Sequence, residues 1–526
     1  MKNINFSLSI VLIMACSFSL SAQDENKTEQ LTKKEFNVIK YGAIADGKTL
    51  NTKAIQKAID AANKLKSGGT VVFPKGKFLS GSIELKSNVG LYFSAGAVLL
   101  GSTNPNDYRS VSSEGRPKSP KTDDNTHLGL ILAHNAVDIM LYGKGEIDGQ
   151  GLELALNIDS LYHTGIKIDP NYSVKNIRPS EKVRPKLFSF SQCKKIQVKD
   201  LAIQSSAGWG LSFELCTDLT IDKIKLKNRA FWNNDGMDIT DCSNVKITNC
   251  DINSADDGIC LKSYYPGYFN DKVYIANCTI QSSASAVKFG TASYGGFKNV
   301  TIENINIFDT FRSAIAIECV DGGVIENIKV QNIVAKNTGN GIFIRLGHRD
   351  GEKPGVIKNI LIKDVKVQIP FGRPDLNYDM RGPEVPYFHN AFPASITGIP
   401  ENFIENVVIE NLEITYPGRA SKGMAYVPLS RLKQVPENIK SYPEFDMFGE
   451  LPAWGFYVRH VKGLEFKDIT LKLENEDFRP AFVFDDVKSL KMETINLPAS
   501  DKKQIILNQC ENVQLDNSLN LVKKEL

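Results

Sequence analysis

A short unit of alternating apolar and polar residues recurs along most of this chain and leaves few folds open to it. Its pattern is roughly Asn/Lys-apolar-x-apolar-x-Asn/Asp-apolar-x-apolar. It runs at Lys195-Ile196-Gln197-Val198, Asp218-Leu219-Thr220-Ile221 and Asn244-Val245-Lys246-Ile247, and returns at Val273, Val300, Ile328, Ile360, Val407, Leu464 and Leu490. From Ile196 to Ile360 the successive steps are 23, 26, 28, 27, 28 and 32 residues. A period of two marks a strand with one buried face. One such unit cannot bury its apolar side alone, but stacked units can, and all-strand repeats of this length wind into a solenoid. An antiparallel sandwich, with turns every ~8–12 residues, would not hold one motif in phase over so long an interval. The expected fold is all-β: a single-stranded right-handed parallel β-helix over residues 36–526. Asn at the strand ends suits tight corners, because it tolerates left-handed backbone.

The ends and interruptions of the ladder carry their own expectations. Thr52 is placed to cap a helix with Ile55, Ala58, Ile59 and Ala62 on one face. That helix would cover the first coil, whose strand edges are otherwise open. Long departures from the repeat lie at about 150–190, 369–402 and 416–458 and are rich in Pro, Tyr, Phe and Arg. Loops of this length inside a regular solenoid are usually functional, and these are expected to wall a cleft. His389, in the second departure, is either part of that wall or a hydrogen-bonded loop residue.

Lys2, the apolar stretch Phe6 to Leu20 and Ser21-Ala22-Gln23 read as a signal peptide over residues 1–22, followed by a disordered lead over 23–35. The chain is therefore expected to be exported, periplasmic or secreted, with lipoprotein processing at Cys16 as the competing outcome. The 63 Lys+Arg against 60 Asp+Glu set up no global field for nucleic acid. No membrane insertion is expected and the protein is read as a monomer. Cys193, Cys216, Cys242, Cys250, Cys260 and Cys278 sit among apolar strand residues, where free Cys behaves as a small hydrophobe. With no CxxC pair, neither a metal nor another cofactor is expected.

The chemistry concentrates in two neighbouring stretches. Asn233-Asn234-Asp235-Gly236-Met237-Asp238 is followed, 22 residues after Asp235, by Ala255-Asp256-Asp257-Gly258. That interval is close to one coil, so Asp235 should stack on Asp257 with Asp256 beside it, about one strand spacing (~4.8 Å) away. Three carboxylates so close repel, and at least one should be driven toward its protonated form. An acid and a base side by side are what glycosidic hydrolysis requires. Asp-Gly is also a common turn sequence; its appearance twice, one coil apart, favours the functional reading. Lys262 and Lys288, read as equivalent positions in successive coils, would form a cationic strip for an anionic group of the substrate. Asn234, Arg312, Arg345, His348 and Arg349 are candidates to extend it, and Tyr294 to stack on a sugar ring.

On these motifs the chain resembles the polygalacturonase family, glycoside hydrolase family 28. The opening Tyr41-Gly42-Ala43-Ile44-Ala45-Asp46-Gly47-Lys48 is similar to that of pectin-active β-helices. Arg184-Pro185, Trp209, the Asn233–Asp238 motif (Asn234 standing in place of Thr) and Asp256-Asp257 also fit. The resemblance implies an inverting hydrolase, with Asp256 as general acid and Asp235 and Asp257 activating the water. Such a pair usually lies ~6.5–9.5 Å apart. The family's Gly-His-Gly is missing, replaced by Ser283-Ala284-Ser285-Ala286-Val287-Lys288. Its Arg-x-Lys gives way to Ala314-Ile315-Ala316-Ile317-Glu318. These departures keep two other readings open. One is a β-eliminating lyase or dehydratase acting on a pectic or ulvan-like glycan, with Lys262 or Lys288 neutralising the substrate carboxylate. The other is a non-catalytic glycan-binding β-helix.

Overall fold

The computed structural model describes residues 33–121, 126–375, 392–418, 429–516 and 522–524. The leader read at residues 1–22 and His389 lie outside them. The chain forms a parallel β-helix, and its apolar repeat is the spine of that helix. Ile196 pairs with Leu219, then Val245, Val273, Val300, Ile328, Ile360, Val407, Leu464 and Leu490, each one coil on from the last. All of these are buried in one continuous core. Strand pairings are parallel, apart from Arg109–Ser110, which runs antiparallel to Leu128–His134. The first coil starts slightly earlier than the sequence suggests, since Glu35 already pairs with Thr70.

The corners show why Asn recurs. Asn299, Asn327, Asn359 and Asn406 all have φ between 53° and 59°. Their side chains form a ladder: Asn327 donates to Asn299, Asn359 to Asn327 and Asn406 to Asn359, at 3.1–3.2 Å. A second corner repeats the device with Asn304 donating to Asn277 and Asn332 to Asn304. Each residue thus satisfies a left-handed corner and bonds the coil below it.

Helix Thr52–Asn63 buries Ile55, Ala58, Ile59 and Ala62 over the first coil, as the sequence predicts. Thr52 is not its cap. Asn51 precedes the helix without a side-chain cap bond, and Thr52 Oγ1 accepts from Gly81 N at 2.8 Å, tethering helix to coil. The departure at 150–190 also contains a helix, Gly151–His163, whose Leu154 and Ile158 pack against Ala207.

One outward row of the ladder runs beside the site and carries Asp238, Cys260 and Lys288. It runs Ser189, Ser212, Asp238, Cys260, Lys288, Ala316, Phe343, Ser395, Tyr457, Val483 and Ile506. Its early half is polar and its later half largely apolar. Leu432, Val435, Phe445, Phe448 and Leu451, from the third departure, cover that apolar half as a second small core. Each such buried side chain contributes about 1.5–3 kcal/mol, so this wall is fixed to the solenoid.

Asn327→Ala should lower stability by ~1–2 kcal/mol, the cost of placing a Cβ residue in left-handed backbone without the side-chain bond, while Asn327→Gly loses less. Urea denaturation of both variants checks this.

Candidate active site

The two Asp-Gly stretches occupy successive turns ahead of Met237–Thr240 and Ile259–Ser263, and the ladder brings them into register. Gly236 N donates to Asp257 O at 2.8 Å, so Asp235 stacks on Asp257. The glycines answer to close approach, not to turn dihedrals. A Cβ on Gly236 would lie 2.4 Å from Gly258 O, and one on Gly258 would lie 2.6 Å from Ala286 O. Behind the first turn, fully buried Arg184 donates to the carbonyls of Ala207 and Trp232. Asn228 donates to Asp235 O at 2.7 Å, which fixes the backbone from which Asp235 projects.

Asp235, Asp256 and Asp257 each offer a carboxylate oxygen within 4.8 Å of the others, and all three residues are buried. Lys262 Nζ stands 3.3 Å from Asp235 and 3.0 Å from Asp238, while Lys288 Nζ stands 3.3 Å from Asp257 and 3.8 Å from Glu318. Burial pushes Asp238 above the usual carboxylate range against the pull of Lys262. For Asp257, burial acts upward, but Lys288, Lys262 and Arg312 together outweigh it and hold the carboxyl below that range. Glu318 is raised to about 8 by burial despite Lys288. Asp256 is held by amides: its Oδ1 accepts from Asp257 N at 2.9 Å, and Asn233 Nδ2 lies 3.4 Å from its Oδ2. A second close set, Asp235, Asp238 and Cys260, has the geometry of a cation site. Lys262 Nζ also reaches Cys260 Sγ at 3.0 Å and supplies the positive charge there.

The carboxylates line a pocket of about 350 Å³, at the small end of the ~300–1,000 Å³ typical of ligand sites. Trp209, Lys262, Tyr264, Arg312 and Arg349 share it, and the third departure adds Tyr442 and Glu444. Lys186 and Lys262 Nζ both lie 4.5 Å from the Trp209 ring centroid.

Several residues expected at the substrate do other work. Asn234 is fully buried, donates to Ser206 O and Gly208 O, and its Oδ1 accepts from Phe231 N. It is a turn residue. Arg345, 1% exposed, donates to the carbonyls of Gly398, Glu437 and Asn438, latching the third departure to the coils. His348 bonds Gly351 O, and its backbone N donates to Ile439 O. Tyr294 donates to Asp350 Oδ2 at 2.6 Å and pins a loop. None of these four lines the pocket. Lys288 stacks on Cys260, not on Lys262, so the two lysines stand in different rows. They also do not form an open strip, because both are consumed by the protein's own carboxylates. Cys260 faces this outer cluster instead of the core, unlike Cys193, Cys216, Cys242, Cys250 and Cys278. Sequence reasoning missed Lys121, Tyr442 and Glu444 as pocket residues; the last two come from 416–458, whose Pro/Tyr/Phe content was the only signal.

A solenoid bearing this carboxylate cluster on its outer face is the architecture of a glycan-cleaving enzyme, and the sequence comparison makes the class definite. Residues 69–370 match glycosyl hydrolases family 28, and the chain belongs to that family; it is a glycosidase. It is 25% identical over 412 residues to a probable polygalacturonase of Vitis vinifera, covering 73% of this chain and 75% of that one. It is 24% identical to an exo-poly-alpha-D-galacturonosidase of Dickeya chrysanthemi, covering 73% and 72%. Among solved structures, the family 28 exopolygalacturonase of Yersinia enterocolitica superposes with a TM-score of 0.61 at 18% identity, covering 89% of this chain and 79% of that one. The exopolygalacturonase of Thermotoga maritima gives 0.57 at 20%, covering 75% and 92%.

Lys288→Met removes the nearest cation from Asp257 and leaves the upward push of burial less opposed, so the Asp257 carboxyl should titrate at higher pH. The acid limb of the kcat/KM profile should then move toward neutrality, with activity lost first at low pH. An unmoved acid limb would show that Asp257 does not act as a base.

Proposed function

We propose that the protein hydrolyses glycosidic bonds of a uronic-acid-containing, pectin-like glycan, with Asp256 as general acid and Asp235 and Asp257 holding the attacking water. The observation that carries this reading is the convergence of three buried carboxylates, each with an oxygen within 4.8 Å of the others. Asp235 and Asp257 each face a lysine ammonium at 3.3 Å, which suits two acceptors sharing one water. Asp256 takes the acid role from its match to the family's paired aspartates, its carboxylate meeting the N–H groups of Asp257 and Asn233. In the reaction Asp256 gives its proton to the glycosidic oxygen as the bond to the anomeric carbon breaks. Water attacks that carbon from the opposite face, and its proton passes to Asp235 or Asp257. The spacing rule by itself argues the other way: oxygens within 4.8 Å are closer than the ~6.5–9.5 Å of usual inverting pairs. The reading rests on a third carboxylate, which a retaining pair does not need. The names of the relatives supply the uronide substrate.

Attack at a chain end is the mode named for the Dickeya chrysanthemi relative, and the small pocket, lined by Lys121, Tyr264, Tyr442 and Glu444 beside the carboxylates, is consistent with it. The eliminating alternative is disfavoured, because Lys262 and Lys288, the groups needed to neutralise the substrate carboxylate, are paired with Asp235, Asp238, Asp257 and Glu318. Export, read from the apolar leader, is part of the same proposal.

Asp256→Asn should cut kcat by ~10²–10⁴-fold, the usual contribution of a positioned acid. With oligogalacturonides, mass spectrometry should show gain of one water and monosaccharide release from the outset, and proton NMR should show an inverted anomer. A product with retained configuration would overturn the water-activating roles; one lighter by a water would overturn hydrolysis.

A further inference from the structure

We infer that Tyr442 and Arg349 form a subsite that recognises the anionic substituent and ring face of a sugar next to the scissile bond. Tyr442 comes from a segment outside the residues that match the family. This inference rests on the uronide reading and assigns the residues that would enforce it.

Lys262 and Lys288 are buried and each bridges two carboxylates, whereas Arg349 is 27% exposed and pairs with one, so Arg349 is the better placed to meet a substrate anion. In the coil after Lys288 the outward positions are Ala316 and Glu318, neither of them a cation. The guanidiniums arrive from other places: Arg312 from the register irregularity between Thr310 and Ser313 in strand Gly296–Cys319, and Arg349 from the loop after strand Val324–Leu346. Arg349 is held rigidly, its Nε and Nη2 donating to Asp321 Oδ1 and Oδ2 at 2.9 and 2.7 Å. A guanidinium has five N–H donors in a fixed fork, so one anchored through two of them still presents a planar edge suited to carboxylate. Arg312 pairs with Glu444 and also contributes to holding Asp257 ionised, which places this cationic end of the pocket next to the catalytic carboxylates.

Tyr442 stands between these groups. Its ring centroid lies 5.7 Å from the Arg349 guanidinium carbon and 5.5 Å from Lys288 Nζ. At 52% exposed it presents more of its surface than most aromatic residues of the protein, yet it sits on a wall that is itself latched down by Arg345. An exposed aromatic face on a fixed wall is a platform for the C–H face of a pyranose. A cation of fixed direction beside it selects a ring bearing a carboxylate over its neutral counterpart.

Kinetics with trigalacturonate and its carboxyl-reduced counterpart test this. Arg349→Gln should raise KM for the acidic substrate at least tenfold, leave kcat within about threefold and leave the neutral substrate unchanged. Tyr442→Ala should raise KM on both, and Tyr442→Phe should restore it. Variants within twofold of the wild type on both substrates would overturn the subsite. If the wild type cleaves no uronide, the hydrolase reading fails separately. Calorimetry of galacturonate with Asp256→Asn then decides the subsite. Binding abolished by Arg349→Gln supports it, and no binding without that substitution overturns it.

Discussion

Everything in this protein depends on one constraint: successive coils are hydrogen-bonded in register, so a residue's neighbours are set by the coil above and below it. Strands one spacing apart bring residues from 22 to 57 positions distant in sequence to about 4.8 Å. That distance makes an asparagine at one corner bond the asparagine at the next. It also forces glycine after Asp235 and Asp257, because the facing carbonyls leave no space for a Cβ. Charge obeys the same geometry. Asp235 and Asp257 cannot avoid one another, and their repulsion is offset by ammonium groups built into adjacent strands of the same stack.

Those ammonium groups explain how so many carboxylates stay buried together. An isolated buried charge costs several kcal/mol, and removing one partner of a buried pair leaves the other uncompensated. Here Lys262 bridges Asp235 and Asp238, and Lys288 bridges Asp257 and Glu318, so each lysine serves two acids. The environment separates otherwise similar side chains: cations hold Asp257 low, burial raises Asp238, and Glu318 reaches about 8. Residues with the same chemistry acquire different protonation tasks through position alone.

The second constraint is the wall. Residues 429–451 lie over Phe343, Tyr457, Val483 and Ile506, closing off the apolar stretch of a row whose polar stretch borders the site. Arg345, which in sequence looks like a ligand for an acidic substrate, serves this closure from the inside. The result is a short pocket with aromatic and cationic groups at one end.

Much of this was legible in the amino-acid sequence. The spine from Ile196 to Ile360 is a repeat of period two at steps of 23 to 32 residues, and stacking is what buries its apolar face, so coil and register followed from it over that span. The pairing of Asp235 with Asp257 was a count of residues along that register. The partners of each charged side chain were not legible. Counting from Asp257 put Lys262 and Lys288 in one row; the ladder puts Lys288 over Cys260. Nothing local in the sequence distinguishes Arg345, buried among carbonyls, from Arg349, whose fork meets Asp321 at the edge of the pocket. Tyr442 was invisible as a site residue because its place is set by apolar contacts over a hundred residues away from the aspartates in sequence. Periodicity determined the solenoid, since strand stacking depends only on pattern. Tertiary structure decided the site, since electrostatic partnership depends on which loop folds back over which coil.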